Sequence, residues 1–430
     1  MENLNNAARE QFSRIRLYIR SLFKWLLLSF LVGILCGGLG SAFHIGVEYA
    51  TELRAGHSWL LFLLPFGGLA IVAIYRFFSV EGQSTDSVID EVQSGRGLKI
   101  LLIPAIFLST LLTHLFGGSA GREGAALQMG GTIGFEIGKL LHFDDRDLRT
   151  ATMAGMAAFF SALFGTPVGA TIFAIAVISV GLVYHAALIP CLVSSLTAYG
   201  ISLFFGVEPT RFAVLFPAID AMMLLRCAVL AVFCAFVSML FCDFLHWTER
   251  LAEKKIPSPW LRAFVGGALL LALSLLIPGG EYNGAGMSVI QRAVEGGQAK
   301  TAAFLLKILF TTITLAAGFK GGEVVPCFFI GATFGCVVGP LLGIPAGFAA
   351  ALGLISVFCA SVNCPIGSIF LAVELFGGEG LLCYAVCCTV SFVLSGYDGL
   401  YSGQKIVYDK LKARYIDVHT NAWHEEEAKE

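Results

Sequence analysis

The sequence predicts an all-α integral membrane protein built as an inverted duplicated repeat, with many tilted and broken helices. Three observations carry that prediction. Hydrophobic residues make up 57% of the chain and charged residues only 13%, against roughly 45–50% and 25% in soluble domains. Many apolar runs are shorter than the ~20 residues a full span needs and are interrupted by glycine or proline. Several motifs also recur along the chain at one nearly constant offset.

So few charges cannot cover the surface of a 430-residue soluble fold, so lipid is the expected solvent for most of the chain. The formal net charge of −2 gives no field that would draw nucleic acid. Residues 1–21 carry Arg9, Arg14, Arg16 and Arg20 ahead of an apolar run too long for a signal peptide. That pattern reads as a cytoplasmic N-terminal segment under the positive-inside rule. Residues 405–430 are charged and read as a short cytoplasmic tail with no regulatory domain. A multi-pass protein of the cell membrane is expected.

Apolar segments able to span or dip into a bilayer lie near 22–50, 58–80, 99–116, 123–141, 150–163, 167–183, 184–206, 219–247, 258–277, 301–317, 325–342, 346–361, 365–376 and 380–395. Non-helical backbone at membrane depth must be buried in protein or line a polar cavity. Broken helices at matched positions of two halves therefore point to a transporter's binding site.

The halves do match. Ser87-Val88-Ile89 recurs as Ser288-Val289-Ile290 (288 − 87 = 201), and the same offset carries Gly117 to Gly318 and Gly121 to Gly322. It also carries Gly130-Gly131-Thr132-Ile133-Gly134 to Gly331-Ala332-Thr333-Phe334-Gly335. Further on, Phe160-Ser161-Ala162 with Pro167 matches Phe358-Cys359-Ala360 with Pro365 (365 − 167 = 198). Two membrane repeats follow, 22–215 and 216–404, expected to build one site between them. Coincidence among 49 glycines is the competing explanation, and the constancy of the offset weighs against it.

Two stretches carry the chemistry. In Gly117-Gly118-Ser119-Ala120-Gly121-Arg122-Glu123-Gly124, glycines expose backbone N–H groups just before an apolar helix. A helix start is partially positive and suits an anion. Glu123 can put its own carboxylate where that anion would sit and withdraw it when protonated. The plainer reading is a paired, buried Arg122–Glu123 cap, but ionisable groups inside a membrane are costly and default to function. The second stretch, Gly321-Gly322-Glu323-Val324-Val325-Pro326, precedes a helix expected to start at Cys327. Its plainer reading is a Lys320–Glu323 salt bridge.

Gly121-Arg122-Glu123-Gly124 resembles the G-R-E-G motif of the CLC chloride channel and transporter superfamily, and Gly322-Glu323-Val324-Val325-Pro326 its second element. Gly399-Leu400-Tyr401-Ser402 resembles the late stretch that brings a tyrosine to the pore. The likeness covers about residues 20–410. It implies a homodimer with one anion pathway per subunit, Glu123 as the outer gating glutamate and Tyr401 as the inner tyrosine. Backbone amides at the helix starts, those of Val324 and Val325 among them, would be ligands.

Departures from the chloride-type pattern matter equally. Gly82-Gln83-Ser84-Thr85-Asp86 replaces G-S-G-I-P, leaving open which of Gln83, Ser84 and Thr85 reaches the anion. Val324 replaces phenylalanine and Ala125 replaces proline. Gly318-Phe319-Lys320-Gly321-Gly322-Glu323-Val324 instead resembles the fluoride/proton antiporter branch, in which this glutamate is implicated in coupling. That branch has threonine where this chain has Val325. The internal glutamate of proton-coupled chloride members is missing at Ala176 and Val177, whereas the second repeat keeps Glu374 at the position matching Ala176, where a structural role is expected.

The resulting expectation is halide transport, fluoride/proton antiport for fluoride export, with Glu123 and Glu323 in gating and coupling. A chloride transporter or channel of the same family, coupled or not, is the alternative. No cofactor or metal is expected, since the twelve cysteines sit mostly in apolar runs without a second CxxC or a histidine cluster. His44, His114 and His185 read as core residues. An intramembrane enzyme is disfavoured because no Ser/His, paired Asp or His/Cys constellation sits at catalytic spacing.

Overall fold

The computed structural model describes residues 2–421 except 96 and 413. Tail residues 422–430 and the side chain of Arg9 lie outside the described part. Sixteen α-helices run through the described chain. The first half of the chain holds α1 (Glu2–Gly56), α2 (Leu64–Phe77), α3 (Thr85–Ser94), α4 (Leu102–Phe116), α5 (Glu123–Leu140), α6 (Asp145–Phe164), α7 (Pro167–Ala176) and α8 (Leu188–Phe204). The second holds α9 (Ala221–Lys255), α10 (Pro259–Leu276), α11 (Met287–Gly296), α12 (Ala303–Ala316), α13 (Val324–Val338), α14 (Ala346–Val362), α15 (Pro365–Phe376) and α16 (Leu381–Leu394).

By length and composition, six of the described helical segments can cross a bilayer, while the apolar helices α4, α7, α12, α14 and α15 are shorter. Long helices and short ones are thus mixed in one bundle, as the interrupted apolar runs require. Leucine and phenylalanine side chains on α1, α8 and α9 stay exposed on the outside of the bundle, Phe30, Phe204 and Phe236 among them. Lipid is the solvent that tolerates such a surface.

The glycines that reveal the duplication do the same work twice. Gly130 and Gly134 of α5 lie against Gly155 and Ala151 of α6, so closely that a Cβ on either would strike the facing carbonyl. Gly331 and Gly335 of α13 lie in the same way against Gly353 and Ala349 of α14. Small residues let helices approach where no hydrophobic force drives them together. The breaks are symmetric too. Gly117 and Gly318 take left-handed φ values of 93° and 92° after α4 and α12, and Gly165 and Asn363 take 68° and 54° after α6 and α14.

Two boundaries differ from expectation. The first part of the segment from 405 is not irregular but forms strands. Strand β2 (Lys405–Tyr408) pairs in parallel with β1 (Ser179–Val180) and antiparallel with β3 (Tyr415–His419). Two-residue β1 sits just after α7, inside what reads as one apolar segment, 167–183, so neither partner announces itself locally. The other correction concerns α13, which starts at Val324 and not at Cys327. Pro326 lacks an N–H, yet within the first turn that N–H would have no helical partner, so proline is tolerated there.

Candidate functional site

The two motif loops meet. Gly121 N–H donates to the Gly322 carbonyl at 2.7 Å, and Gly322 N–H donates back to the Gly121 carbonyl at 2.8 Å. This antiparallel bridge joins equivalent residues of the two repeats and puts the starts of α5 and α13 at one place. In α5, Ala126 N–H is satisfied by the Arg122 carbonyl, and in α13 Cys327 N–H by the Glu323 carbonyl. The N–H groups ahead of these, at Glu123, Gly124 and Ala125 and at Val324 and Val325, have no partner inside their own helices. Two partially positive helix ends therefore face a common space.

The Glu123 carboxylate fills part of that space. The residue is fully buried, and its Oε2 accepts the Arg122 N–H at 2.9 Å. The amides of Glu123 and Val325 also face the carboxylate, so both repeats contribute to holding it. Arg122 Nε stands 4.0 Å from Oε1, which has no hydrogen bond. A Cβ on Gly121 would collide with this carboxylate, and one on Gly124 would lie 3.1 Å from the Gly321 carbonyl oxygen. Gly321 in turn lies against Ala120, and Gly322 against the Glu123 amide. These glycines are small because backbone meets backbone here.

Glu323 occupies the residue before the first turn of α13, and its Oε2 is buried without a hydrogen-bond partner. The Lys320 ammonium stands over the Tyr75 ring, 4.5 Å from its centre, and no ion pair between Lys320 and Glu323 is found among the described residues. The expected alternative of a Lys320–Glu323 salt bridge is thus corrected. Tyr401 is 2% exposed, its hydroxyl has no partner, and it shares its surroundings with Glu323, Asp86 and Glu123.

Cavities approach from two sides. One of about 430 Å³ is lined by Glu48, Arg54, His114, Arg122, Glu123 and Val325, among others, beside the C-terminal end of α1. Another, of about 620 Å³, is lined by Gln83, Ser84, Asp86, His246, Glu249, Lys320 and Ser402, with the chain's C-terminal segment at its edge. Glu123 bounds the first cavity. Glu323, Thr85 and Tyr401 line neither, although Thr85 and Tyr401 are each next in sequence to residues that line the second, Ser84 and Ser402. At the rim of the first, Lys300 and then Arg292 hold the Glu281 carboxyl below its usual range by direct contact.

The three residues left open in the first broken helix separate. Ser84 is exposed to the larger cavity, and its N–H donates to Ser87 Oγ at 3.1 Å. Gln83 buries an unpaired Oε1. Thr85 is buried, accepts from Gln128 Nε2 at 3.2 Å and lies against Gly124. Gln128 was not singled out by the sequence; its hydrogen bond to Thr85 spans 43 positions. Lys307, fully buried on α12, was also passed over; its ammonium donates to the Gly284 carbonyl at 2.7 Å.

Other residues act in the scaffold. Glu374 accepts the N–H groups of Val168 at 3.0 Å and Gly169 at 2.7 Å, capping the start of α7. His114 bonds the Thr110 carbonyl of its own helix at 2.9 Å, and His44 pairs with Glu48 at 2.8 Å.

Residues 66–396 match the family described as voltage gated chloride channel. The chain belongs to this family, the CLC family. A "Chloride/fluoride channel protein" from Pseudomonas syringae pv. tomato is 33% identical over 401 residues, covering 90% of this chain and 87% of that protein. An "H(+)/Cl(-) exchange transporter ClcA" from Vibrio cholerae is 27% identical, with 92% and 90% covered. Among solved structures, that of a CLC-type fluoride/proton antiporter superposes with a TM-score of 0.86 at 32% identity, covering 89% of this chain and 98% of that one. A slow cyanobacterial Cl−/H+ antiporter, at 19% identity and a TM-score of 0.73, shares the fold. This CLC chain is a multi-pass membrane protein of the cell membrane.

Proposed function

We propose that this protein carries a small halide across the membrane, with fluoride leaving the cell in exchange for protons. One observation carries the reading. Two carboxylates, Glu123 and Glu323, stand at the starts of two opposed helices whose loops are bonded to each other through Gly121 and Gly322. An anion held by helix-start amides competes with the Glu123 carboxylate for the same donors. Protonating Glu123 removes its charge and its claim on those donors. Anion occupancy and proton transfer are then two faces of one event.

In this reading Glu123 gates the side of the smaller cavity, and Glu323 passes the proton on the side of the larger one. The amides of Val324 and Val325 hold the anion, with Tyr401 and Thr85 closing it off from the larger cavity. Gln83 and Ser84 line the approach. Gly121, Gly124, Gly321 and Gly322 keep the backbones close enough to present these amides. The repeats divide near residue 215, and two copies form a homodimer with one pathway each. Similarity to a fluoride/proton antiporter across nine-tenths of the chain supports fluoride.

Chloride is the second reading. Val325 favours it, because its side chain supplies no polar ligand to a small, strongly hydrated anion. Purified protein in liposomes loaded with both anions tests the choice. Fluoride efflux faster than chloride efflux supports the first reading, and the reverse order supports the second.

A further inference from the structure

The Tyr401 hydroxyl has no polar partner, so packing of the ring and the backbone that carries it set its position. That segment, 399–403, lies outside any helix and is held from several directions. On one flank, the Gly399 carbonyl accepts from His246 Nε2 of α9 at 2.9 Å and from Asn421 Nδ2 at 3.0 Å. In the middle, Leu400 N–H donates to the Ser361 carbonyl at 2.8 Å, and Thr420 Oγ1 donates to the Tyr401 carbonyl at 2.5 Å. On the other flank, Gly403 N–H donates to Asp86 Oδ1 at 2.8 Å, and its carbonyl accepts from Gln93 Nε2 at 2.9 Å.

Asp86 stands apart in this set. It sits in the first turn of α3, where a carboxylate ordinarily serves its own helix start. Here Oδ1 instead reaches a residue 317 positions away. A bond to a carboxylate is about twice as strong as one between neutral groups. Asp86 also directly follows Thr85, which lies against Gly124 at the start of α5. Short helix α3 therefore touches the meeting point of the repeats with one residue and holds the tyrosine segment with the next. We infer that Asp86 is a positioning residue that fixes Tyr401 relative to Thr85 through its bond to Gly403. This rests on the halide-transport reading, in which these two residues close the pathway toward the larger cavity.

The test uses full-length protein with Asp86→Ala, which removes the acceptor, and Asp86→Asn, which keeps an oxygen there. A cryo-EM map of Asp86→Ala is expected to show residues 399–403 and the Tyr401 ring displaced. In liposomes containing fluoride and chloride, the same variant should change the ratio of the two fluxes by up to about 100-fold, the scale that a misplacement of about 1 Å can reach in a site. Asp86→Asn should recover most of the wild-type ratio. Should Asp86→Ala fail to fold, Gly403→Ala crowds the same contact, since its Cβ would lie 3.2 Å from Asp86 Oδ1. An unmoved Tyr401 in the map, or a flux ratio within about twofold of wild type, overturns the inference, as does Asp86→Asn being as defective as Asp86→Ala. Wild-type protein that carries neither anion sinks the transport reading instead, and the map still decides the place of Asp86.

Discussion

Gly121 and Gly322 exchange two backbone hydrogen bonds, of 2.7 Å and 2.8 Å, although 201 positions separate them (322 − 121 = 201). They are also equivalent residues of the two repeats, so the bridge marks the place where the repeats face one another. It leaves room for nothing larger than glycine. A Cβ on Gly121 would meet the Glu123 carboxylate and lie 3.2 Å from Pro326 Cδ, and one on Gly322 would lie 2.8 Å from the Glu123 amide nitrogen. Gly121→Ala should therefore cost about 1–3 kcal/mol through overpacking and remove transport by displacing Glu123. Thermal melting in detergent, read beside anion flux, checks both. Wild-type flux from a folded Gly121→Ala protein would contradict this role for the bridge.

Glu323 offers a more specific test. Its buried, unpartnered oxygen has no structural partner to lose. Glu323→Gln should thus leave the melting temperature nearly unchanged while slowing or stopping coupled exchange. Proton uptake recorded during fluoride efflux decides it. Unimpaired coupled exchange in Glu323→Gln removes Glu323 from the proton route.

Glu374 should behave in the opposite way. Its two bonds to the first amides of α7 are a helix cap. Glu374→Ala should destabilise the protein by about 0.5–2 kcal/mol, as cap losses do, and leave the ratio of protons to anions unaltered. A changed ratio at unchanged stability would move Glu374 from scaffold to mechanism.

Much of this arrangement is legible in the sequence because local chemistry and internal repetition both record it. The glycines at 130, 134, 331 and 335 stand at one offset, and each packs a helix pair. Glu123 follows a glycine run and does open α5. What stayed hidden depends on partners far along the chain. Asp86 reads as an ordinary first-turn acid until Gly403 folds onto it. Lys307 is one polar residue in an apolar run, and the carbonyls it serves belong to a loop more than twenty positions earlier. Strand β2 looks like a charged tail because its partner β1 is two residues long. Helix α13 starts at Val324, ahead of the expected Cys327, because a first turn accommodates Pro326, whose missing N–H has no helical partner there.

The central claim is that one carboxylate, Glu123, takes turns with the anion at the joined helix starts. The most direct measurement places purified protein in liposomes at equal pH inside and out and imposes an outward fluoride gradient. Wild-type protein should drive protons inward against their developing gradient. Glu123→Gln should still pass or block fluoride but move no protons. Uphill proton movement by Glu123→Gln at the wild-type rate would contradict the account.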